Sequence, residues 1–267
     1  FYDRDITTIK YKELDDGSKS LIYYFIVAHF LPHKFEKYNP DKNAIFDYFE
    51  GHNEPSYFSI KYETKLSRDR KNTINNIVSV MTSKPMECII DKEKMTVDYV
   101  DFLCVHKNKR KMGITPKTIY SHVYNQSTIQ NKPSIYLFKR EGATTLIVPI
   151  TKYGNYMFDT KYWKFHKKNI TKGVVINELN HSIKTILIND GNFAIFLDLF
   201  NEIKPFFECL IYPNVQNIKH LCKTGVLFIT VLLNNNIPKS FYVFRNNYTT
   251  YNGYKSAECL ASFSATT

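Results

Sequence analysis

A strand, a basic turn and a helix start follow one another in residues 97–116, and together they could bind an anion. Residues 97–105 have the β-branched and aromatic content of a buried strand. Thr115 is expected to cap a helix whose first residue is Pro116. The backbone N–H groups of 111–115 would then be free to donate, and the helix dipole would add to the attraction. Basic side chains supply further positive charge: Lys107, Lys109, Arg110 and Lys111. The pattern predicts a cradle for phosphate, and a pyrophosphate fits it best.

The same stretch contains the most specific motif of the chain. It reads Phe102-Leu103-Cys104-Val105-His106-Lys107, followed by Arg110 and Pro116. This motif resembles the signature of the eukaryotic-type glycylpeptide N-myristoyltransferases, which is Asn-Phe-Leu-Cys-Val-His-Lys with a later Arg and Ala-Pro. Weaker similarities lie around it in the family's order, at 14–17, Pro85 and 91–95 before the signature and at 164–171 and 189–263 after it. The resemblance covers nearly the whole chain, but only the signature is specific.

The resemblance implies an enzyme that transfers a myristoyl group from myristoyl-CoA to the N-terminal glycine amine of a protein or peptide. The attack would be direct and would need no metal. The backbone N–H groups of Phe102 and Leu103, freed by a bulge in the strand, would form an oxyanion hole. Leu103, Cys104 and Val105 would contact the thioester and pantetheine. The pyrophosphate would lie on the residues that follow: Arg110, Lys111, Met112, Gly113, Ile114 and Thr115. Gly113 would let the backbone approach a phosphate because it has no Cβ.

The general base is not given by the resemblance, because the family uses a C-terminal carboxylate from a second half that this chain lacks in matching form. Asp101 stands where the family has Asn, and its carboxylate could hold or deprotonate the amine. The alternative is a solvent-exposed residue at a strand edge. Tyr153, Tyr156 and Phe158 lie in the region that resembles the family's aromatic wall for the peptide.

A nucleophilic Cys104 is a further interpretation, since His106 is two residues away on the same side of the strand. However, the sequence shows no carboxylate to orient the histidine, and a buried cysteine is usually inert. We therefore expect His106 to pack or to form local hydrogen bonds.

Composition limits the function classes. The 267 residues are 43% hydrophobic, and 36 Lys and Arg against 25 Asp and Glu give a formal charge of +11, which favours anionic partners. The basic residues cluster only at 107–111 and 164–172, without a nucleic-acid-binding motif, so sequence-specific nucleic-acid binding is not expected. Five widely spaced cysteines indicate reduced thiols and a cytoplasmic location. No metal-binding motif is present, and no apolar run is long enough for a transmembrane segment.

The order of elements predicts an α/β protein with the GCN5-related N-acyltransferase fold, built on a mixed, mostly antiparallel sheet. We expect helices at 21–35, broken near Pro32, and at 44–49, 116–125 and 192–210. We expect strands at 57–62 and 77–90, a hairpin through 91–94, a parallel strand at 134–139, and a second hairpin from 226–233 and 240–244. Residues 1–178 would form the acyl-CoA-binding half. Residues 179–267 would form a partial second repeat that resembles the family's peptide-binding half.

Two other functions fit the same sequence. One is an N-acyltransferase that uses acetyl-CoA or another acyl-CoA, which would not need a long apolar channel for the acyl chain. The other is a non-catalytic acyl-CoA-binding protein, which the partial second half and Asp101 favour. A monomer is expected in each case.

Overall fold

The computed structural model describes residues 1–30, 36–66, 73–139, 149–160, 170–171, 174–175 and 182–264. The helices are α1 (Asp16–His29), α2 (Lys42–Phe46), α3 (Ile114–Gln130), α4 (Phe193–Ile203) and α5 (Val215–Lys223). The strands are β1 (Ile6–Lys10), β2 (Glu36–Tyr38), β3 (Tyr57–Leu66), β4 (Thr73–Ile90), β5 (Glu93–Val105), β6 (Tyr136–Phe138), β7 (Ile170–Thr171), β8 (Val174–Val175), β9 (Ile183–Leu187), β10 (Cys209–Pro213), β11 (Leu227–Asn234), β12 (Ile237–Tyr251) and β13 (Tyr254–Ser264).

The first sheet has the strand order β1-β3-β4-β5-β6, with β10 added beside β4. The hairpin between β4 and β5 turns at Asp91 and Lys92, both at positive φ, as the turn 91–94 predicted. β6 runs parallel to β5, and every other pairing in this sheet is antiparallel. The mixed sheet and the parallel strand after a helical crossover are thereby confirmed.

The two faces of this sheet differ in chemistry. Phe58, Ile60 and Val80 belong to the apolar core that also includes residues of α1 and α2. Their neighbours Ser59, Ser79 and Ser83 alternate with them along β3 and β4 and bond to side chains of α3. Because successive strand residues point to opposite faces, α1 and α3 lie on opposite sides of the sheet.

Helix α1 begins five residues before the predicted start at 21. Asp15 accepts a hydrogen bond from the Ser18 N–H at 2.7 Å and caps the helix, so a polar first turn precedes the apolar residues. Hydrophobic spacing alone does not detect that turn. The helix ends at His29, and the predicted break near Pro32 lies outside the described residues.

Helix α3 begins earlier than the sequence predicted. The residue before the helix is Gly113, at φ +70°, and the helix begins at Ile114, so Thr115 and Pro116 are its second and third residues. Thr115 is therefore not the cap, and Pro116 is not the first helical residue. Pro116 is tolerated because an N–H in the first turn has no partner within the helix.

The second sheet has the order β13-β12-β11-β9, with β2 beside β12. The predicted hairpin is confirmed, with Asn235 and Asn236 at positive φ in its turn. Pro238 lies within β12, at a shift in register, rather than in the turn. The predicted helix 192–210 is too long. Pro205 falls in a 3₁₀ turn after α4, and the residues that follow form β10 instead.

Candidate functional site

A bulge interrupts the pairing of β5 with β4 at the start of the signature. Ser83 lies opposite Val100, but Met81 lies opposite Leu103, so β5 carries one residue more than β4 across this interval. The bulge that the resemblance implied is therefore present. It places Asp101 and Phe102 opposite Thr82.

The backbone N–H of Phe102 has a partner in the structure. It donates to Thr82 Oγ1 at 3.0 Å, and Thr82 is fully buried. Further along the strand, the His106 N–H donates to the Val78 carbonyl at 2.9 Å. Both groups therefore point toward β4. The role of Phe102 in an oxyanion hole stays a prediction, and it would require this hydrogen bond to be shared or released.

The N–H of Leu103 points the other way. In an antiparallel ladder, alternate residues direct their N–H groups to the same neighbour, so the groups of Leu103 and Val105 point away from β4. On that side, β6 pairs only with Asp98, Tyr99 and Val100. Within the described part of the chain, no strand covers β5 beyond Val100 on this edge. Two backbone donors, at Leu103 and Val105, therefore lie along an edge of β5 that is open among the described residues.

Asp101 is neither exposed nor isolated. Lys84 Nζ lies 3.0 Å from Asp101 Oδ2, and the two side chains are only 8% and 9% exposed. The ammonium group also lies over the ring of Tyr48, 4.7 Å from its centre. Burial lowers the pKa of Lys84, and the neighbouring Asp101 carboxylate opposes that shift. Asp101 therefore stands beside the signature as one half of a buried ion pair.

Charged residues of the second sheet lie close to this pair. Arg245 on β12 donates to Glu258 on β13 at 2.5 Å, and Lys139 lies 3.2 Å from the same carboxylate. The positive charge of Arg245 adds to the effects that lower the pKa of Lys84. The two sheets thus meet at a polar cluster next to the bulge.

The basic turn has the backbone shape of an anion-binding loop. Lys111 and Gly113 adopt positive φ of 63° and 70°, and residues 111–113 are exposed. A Cβ built on Gly113 would meet nothing within 4 Å, so the space in front of this backbone is open. The N–H groups at the start of α3 face outward here without helical partners. The structure thus brings residues 111–115 together at one helix start, beyond the end of β5.

Two of the predicted basic side chains have other partners. Arg110 donates to the carbonyl oxygens of His29, at 2.6 Å, and Val105, at 3.3 Å, and so ties the end of α1 to the end of β5. Lys109 forms an ion pair with Glu63 at 2.7 Å. The contacts of Arg110 with the two carbonyl oxygens give it a structural role. Its role in binding the pyrophosphate remains a prediction. The second basic cluster lies almost entirely outside the described residues.

Cys104 and His106 do not form a nucleophile and base. Burial raises the pKa of the Cys104 thiol to about 12. His106 Nδ1 accepts from the Asn108 N–H at 3.2 Å, and its ring lies 4.2 Å from that of His29. His106 therefore bonds locally, as expected from the sequence. Burial, with His106, Lys107 and Arg110 nearby, lowers the pKa of His29 to about 4.

Helix α3 has a buried polar face that the sequence patterns did not predict. Thr118, His122 and Gln126, spaced by four residues, have no exposed surface and face the serines of the sheet. His122 Nδ1 lies 2.8 Å from Ser59 Oγ, and its Nε2 lies 2.9 Å from Ser83 Oγ. The four-residue spacing of small and polar side chains was the available signal. This network, rather than an apolar stripe, fixes the helix that follows the basic turn.

The directions of these hydrogen bonds can be assigned. Ser83 donates to Gln126 Oε1 at 2.8 Å, so Ser83 Oγ accepts from His122 Nε2–H, and Nδ1 accepts from Ser59. Burial lowers the pKa of His122 to about 3. The histidine is therefore neutral at ordinary pH.

Solved structures show which fold this arrangement belongs to. A yeast (Saccharomyces cerevisiae) N-myristoyltransferase with bound myristoyl-CoA matches with a TM-score of 0.62 and 11% sequence identity, over 92% of this chain and 61% of that one. A second structure of the yeast enzyme with myristoyl-CoA matches with a TM-score of 0.60 and 12% identity, over 97% and 62% of the two chains. This is the fold of the N-myristoyltransferases.

The chain spans about three fifths of the length of these yeast structures. No family model and no curated protein matches the sequence. The identities of 11% and 12% therefore establish the fold and not the activity.

Other surfaces of the described chain bear on the sequence expectations. Two cavities, of about 370 and 280 Å³, have linings that include no residue from 98 to 116. No helix among the described residues is long and apolar enough to span a membrane. The same residues contain no group of three or more His, Cys, Asp or Glu side chains that could hold a metal ion. All five cysteines have free thiols.

Proposed function

We propose that this chain is an acyl-CoA-dependent N-acyltransferase that transfers a myristoyl group to the N-terminal glycine of a protein or peptide. The observation that carries the proposal is the bulged signature strand, with an open edge after Val100, leading into the anion-binding turn before α3. The match to yeast N-myristoyltransferases with bound myristoyl-CoA supports it at the level of the fold.

The open edge and the turn fit the two polar parts of acyl-CoA. The backbone donors of Leu103 and Val105 can bond the amide oxygens of pantetheine in the manner of an added strand. The N–H groups at the start of α3, together with Lys107 and Lys111, can bind the pyrophosphate. Myristoyl-CoA would supply an activated acyl group as its thioester: attack by the amine nitrogen would form the amide bond, break the C–S bond and release CoA as its thiol.

Within the reaction, Leu103 would stabilise negative charge on the thioester oxygen through its N–H, which needs no movement of β4. Phe102 would add a second donor only when its bond to Thr82 is shared or released. Asp101 would hold the incoming ammonium or accept its proton, and Lys84 would limit that role by competing for the same carboxylate. Asp101 is the candidate proton acceptor that the site offers.

We also propose a division of the chain after residue 178, a monomer, an absence of bound metal, and no sequence-specific nucleic-acid partner. A cytoplasmic location is supported by the five free thiols, since disulfides are rare in that compartment. Tyr153, Tyr156 and Phe158 are exposed, and their contact with a peptide is also a proposal.

A non-catalytic acyl-CoA-binding protein is the second candidate. The Phe102 N–H already donates to Thr82, and Asp101 is paired with Lys84. Two of the groups that would act in the transfer reaction are therefore already engaged, which favours binding without catalysis. It predicts acyl-CoA binding without turnover.

Chain-length preference separates the first proposal from other acyl-CoA enzymes. Acylation rates of a peptide with a free N-terminal glycine are compared for acetyl-, octanoyl-, myristoyl- and palmitoyl-CoA. Each buried methylene contributes about 0.8 kcal/mol, so we expect a maximum near the myristoyl chain. A control peptide with an acetylated N-terminus should not react. A preference for acetyl-CoA would instead identify a different N-acyltransferase.

A further inference from the structure

We propose that Thr82 is a positioning residue for the signature strand: its hydroxyl holds the bulge that directs the Leu103 N–H to the open edge. The kinetic part of this inference depends on the proposed N-acyltransferase activity. The structural part does not.

The bulge determines which edge of β5 the Phe102 N–H faces. The Asp98 N–H donates toward the β6 edge, to the Ile135 carbonyl, so in a ladder without the bulge the Phe102 N–H would face that edge too. The extra residue of β5 between Val100 and Leu103 turns it toward β4 instead. On that side, the Phe102 N–H donates to Thr82 Oγ1 at 3.0 Å. Both residues are buried, so water cannot easily replace this acceptor.

The residue type suits the task. Thr82 is fully buried, and its branched Cβ restricts the rotation that would move the hydroxyl away from Phe102. Only a side chain with an acceptor atom close to the backbone can reach an N–H on the adjacent strand in this way. Valine would match the shape of Thr82 but would lack the acceptor.

The direction of the Phe102 N–H sets the direction of the groups that follow it. Because N–H groups alternate along a strand, a Phe102 N–H held toward β4 places the Leu103 N–H on the opposite, open edge. Loss of the bulge would reverse this alternation and would turn Phe102 and Cys104 away from the core in which they are buried. Thr82 therefore selects which backbone donors face a bound thioester.

The test compares the parent with Thr82→Val, which removes the hydroxyl, and with Thr82→Ser, which keeps it. Hydrogen exchange at the Phe102 amide is followed by NMR in protein labelled with ¹⁵N-phenylalanine. We expect exchange at least tenfold faster in Thr82→Val and close to the parent rate in Thr82→Ser. Unchanged protection in Thr82→Val, or equal loss in both variants, would overturn the proposal.

Kinetics provide the second readout. With myristoyl-CoA and a glycine peptide, Thr82→Val should lower kcat about tenfold or more while the KM for myristoyl-CoA changes less than about threefold, and Thr82→Ser should restore kcat. A fall in kcat that is the same for Thr82→Ser would assign the effect to packing and overturn the positioning role.

Two outcomes need separate variants or readouts. If the parent shows no turnover, the proposed activity fails, and hydrogen exchange at Phe102 still decides the role of Thr82. If Thr82→Val does not fold, Thr82→Ala removes the same hydroxyl with a smaller side chain. A Phe102 amide as protected in Thr82→Ala as in the parent would refute the proposal.

Discussion

Lys84 and Asp101 form a buried ion pair beside the bulge, and each member depends on the other. Removing two charges from water is costly, and their attraction offsets that cost only while both are present. The Tyr48 ring supplies a further favourable contact to the ammonium group. A change in either residue alone therefore leaves an uncompensated charge next to Phe102 and Leu103.

Asp101→Asn is predicted to destabilise the protein and to lower activity. The uncompensated Lys84 should reduce the free energy of unfolding by about 3 kcal/mol, measured by urea denaturation. If Asp101 also handles the amine, turnover at saturating myristoyl-CoA should fall roughly 100-fold.

The double variant Lys84→Met with Asp101→Asn is the matched control, because it removes both charges. It should recover most of the lost stability but not the lost turnover. A single Asp101→Asn variant as stable as the parent would contradict the ion pair. One that is as active as the parent would remove Asp101 from the mechanism.

At the scale of elements, the turn before α3 depends on the left-handed conformation of Gly113. A β-branched residue is strained at φ +70°, whereas asparagine adopts this region more readily. Gly113→Val should therefore distort the donors at the start of α3 and weaken myristoyl-CoA binding at least several-fold by calorimetry. Gly113→Asn should weaken it much less, and equal affinity for the parent and Gly113→Val would count against the placement of the pyrophosphate.

The polar face of α3 predicts a specific dependence of stability on pH. The pKa of His122 is about 3 in the folded protein and near 6.5 when unfolded, so the unfolded state binds more protons between these values. Its contribution is fully present above pH 6.5 and is lost as the pH falls toward 3. Between pH 6 and pH 4, the free energy of unfolding of the parent should fall by about 2 kcal/mol more than that of His122→Gln. Urea denaturation at both pH values measures the difference, and parallel losses would show that His122 is not held neutral.

Sequence patterns predicted elements best where one local rule decided the structure. The hairpin at 91–94 followed from strand composition on both sides of a charged turn, and the parallel strand near 136 followed from its crossover helix. Thr115 was misassigned as a cap because a glycine at positive φ serves that position instead. Pro205 marked a helix end that the spacing of phenylalanines concealed.

Those local rules could not predict contacts between residues that are distant in the sequence. The signature indicated a bulge, but not that Thr82 would accept the Phe102 N–H across the strand. The ion pair of Asp101 was not predicted, because nothing in its neighbourhood along the chain identifies Lys84 as its partner. Strand β13 was also missed, since its exposed residues lack the alternation of a half-buried strand.

At the scale of the whole molecule, the two sheets share one apolar core. Phe102 on β5 and Phe241 on β12 belong to the same buried cluster. Strand β10, from the later part of the chain, pairs with β4, and Tyr212 donates to Glu87 at 2.8 Å. The later part of the chain therefore supports the strand that carries Thr82 and Lys84, and both parts contribute to the geometry of the site.

We propose that this molecule joins an acyl group from acyl-CoA to an N-terminal amine. The most direct test is mass spectrometry of a glycine peptide after incubation with the purified protein and myristoyl-CoA, followed by fragmentation to locate any added group. We predict a peptide that is heavier by one myristoyl group, attached to the glycine nitrogen, and no such product without the protein. An unmodified peptide, despite binding of myristoyl-CoA to the protein, would contradict the proposed transfer.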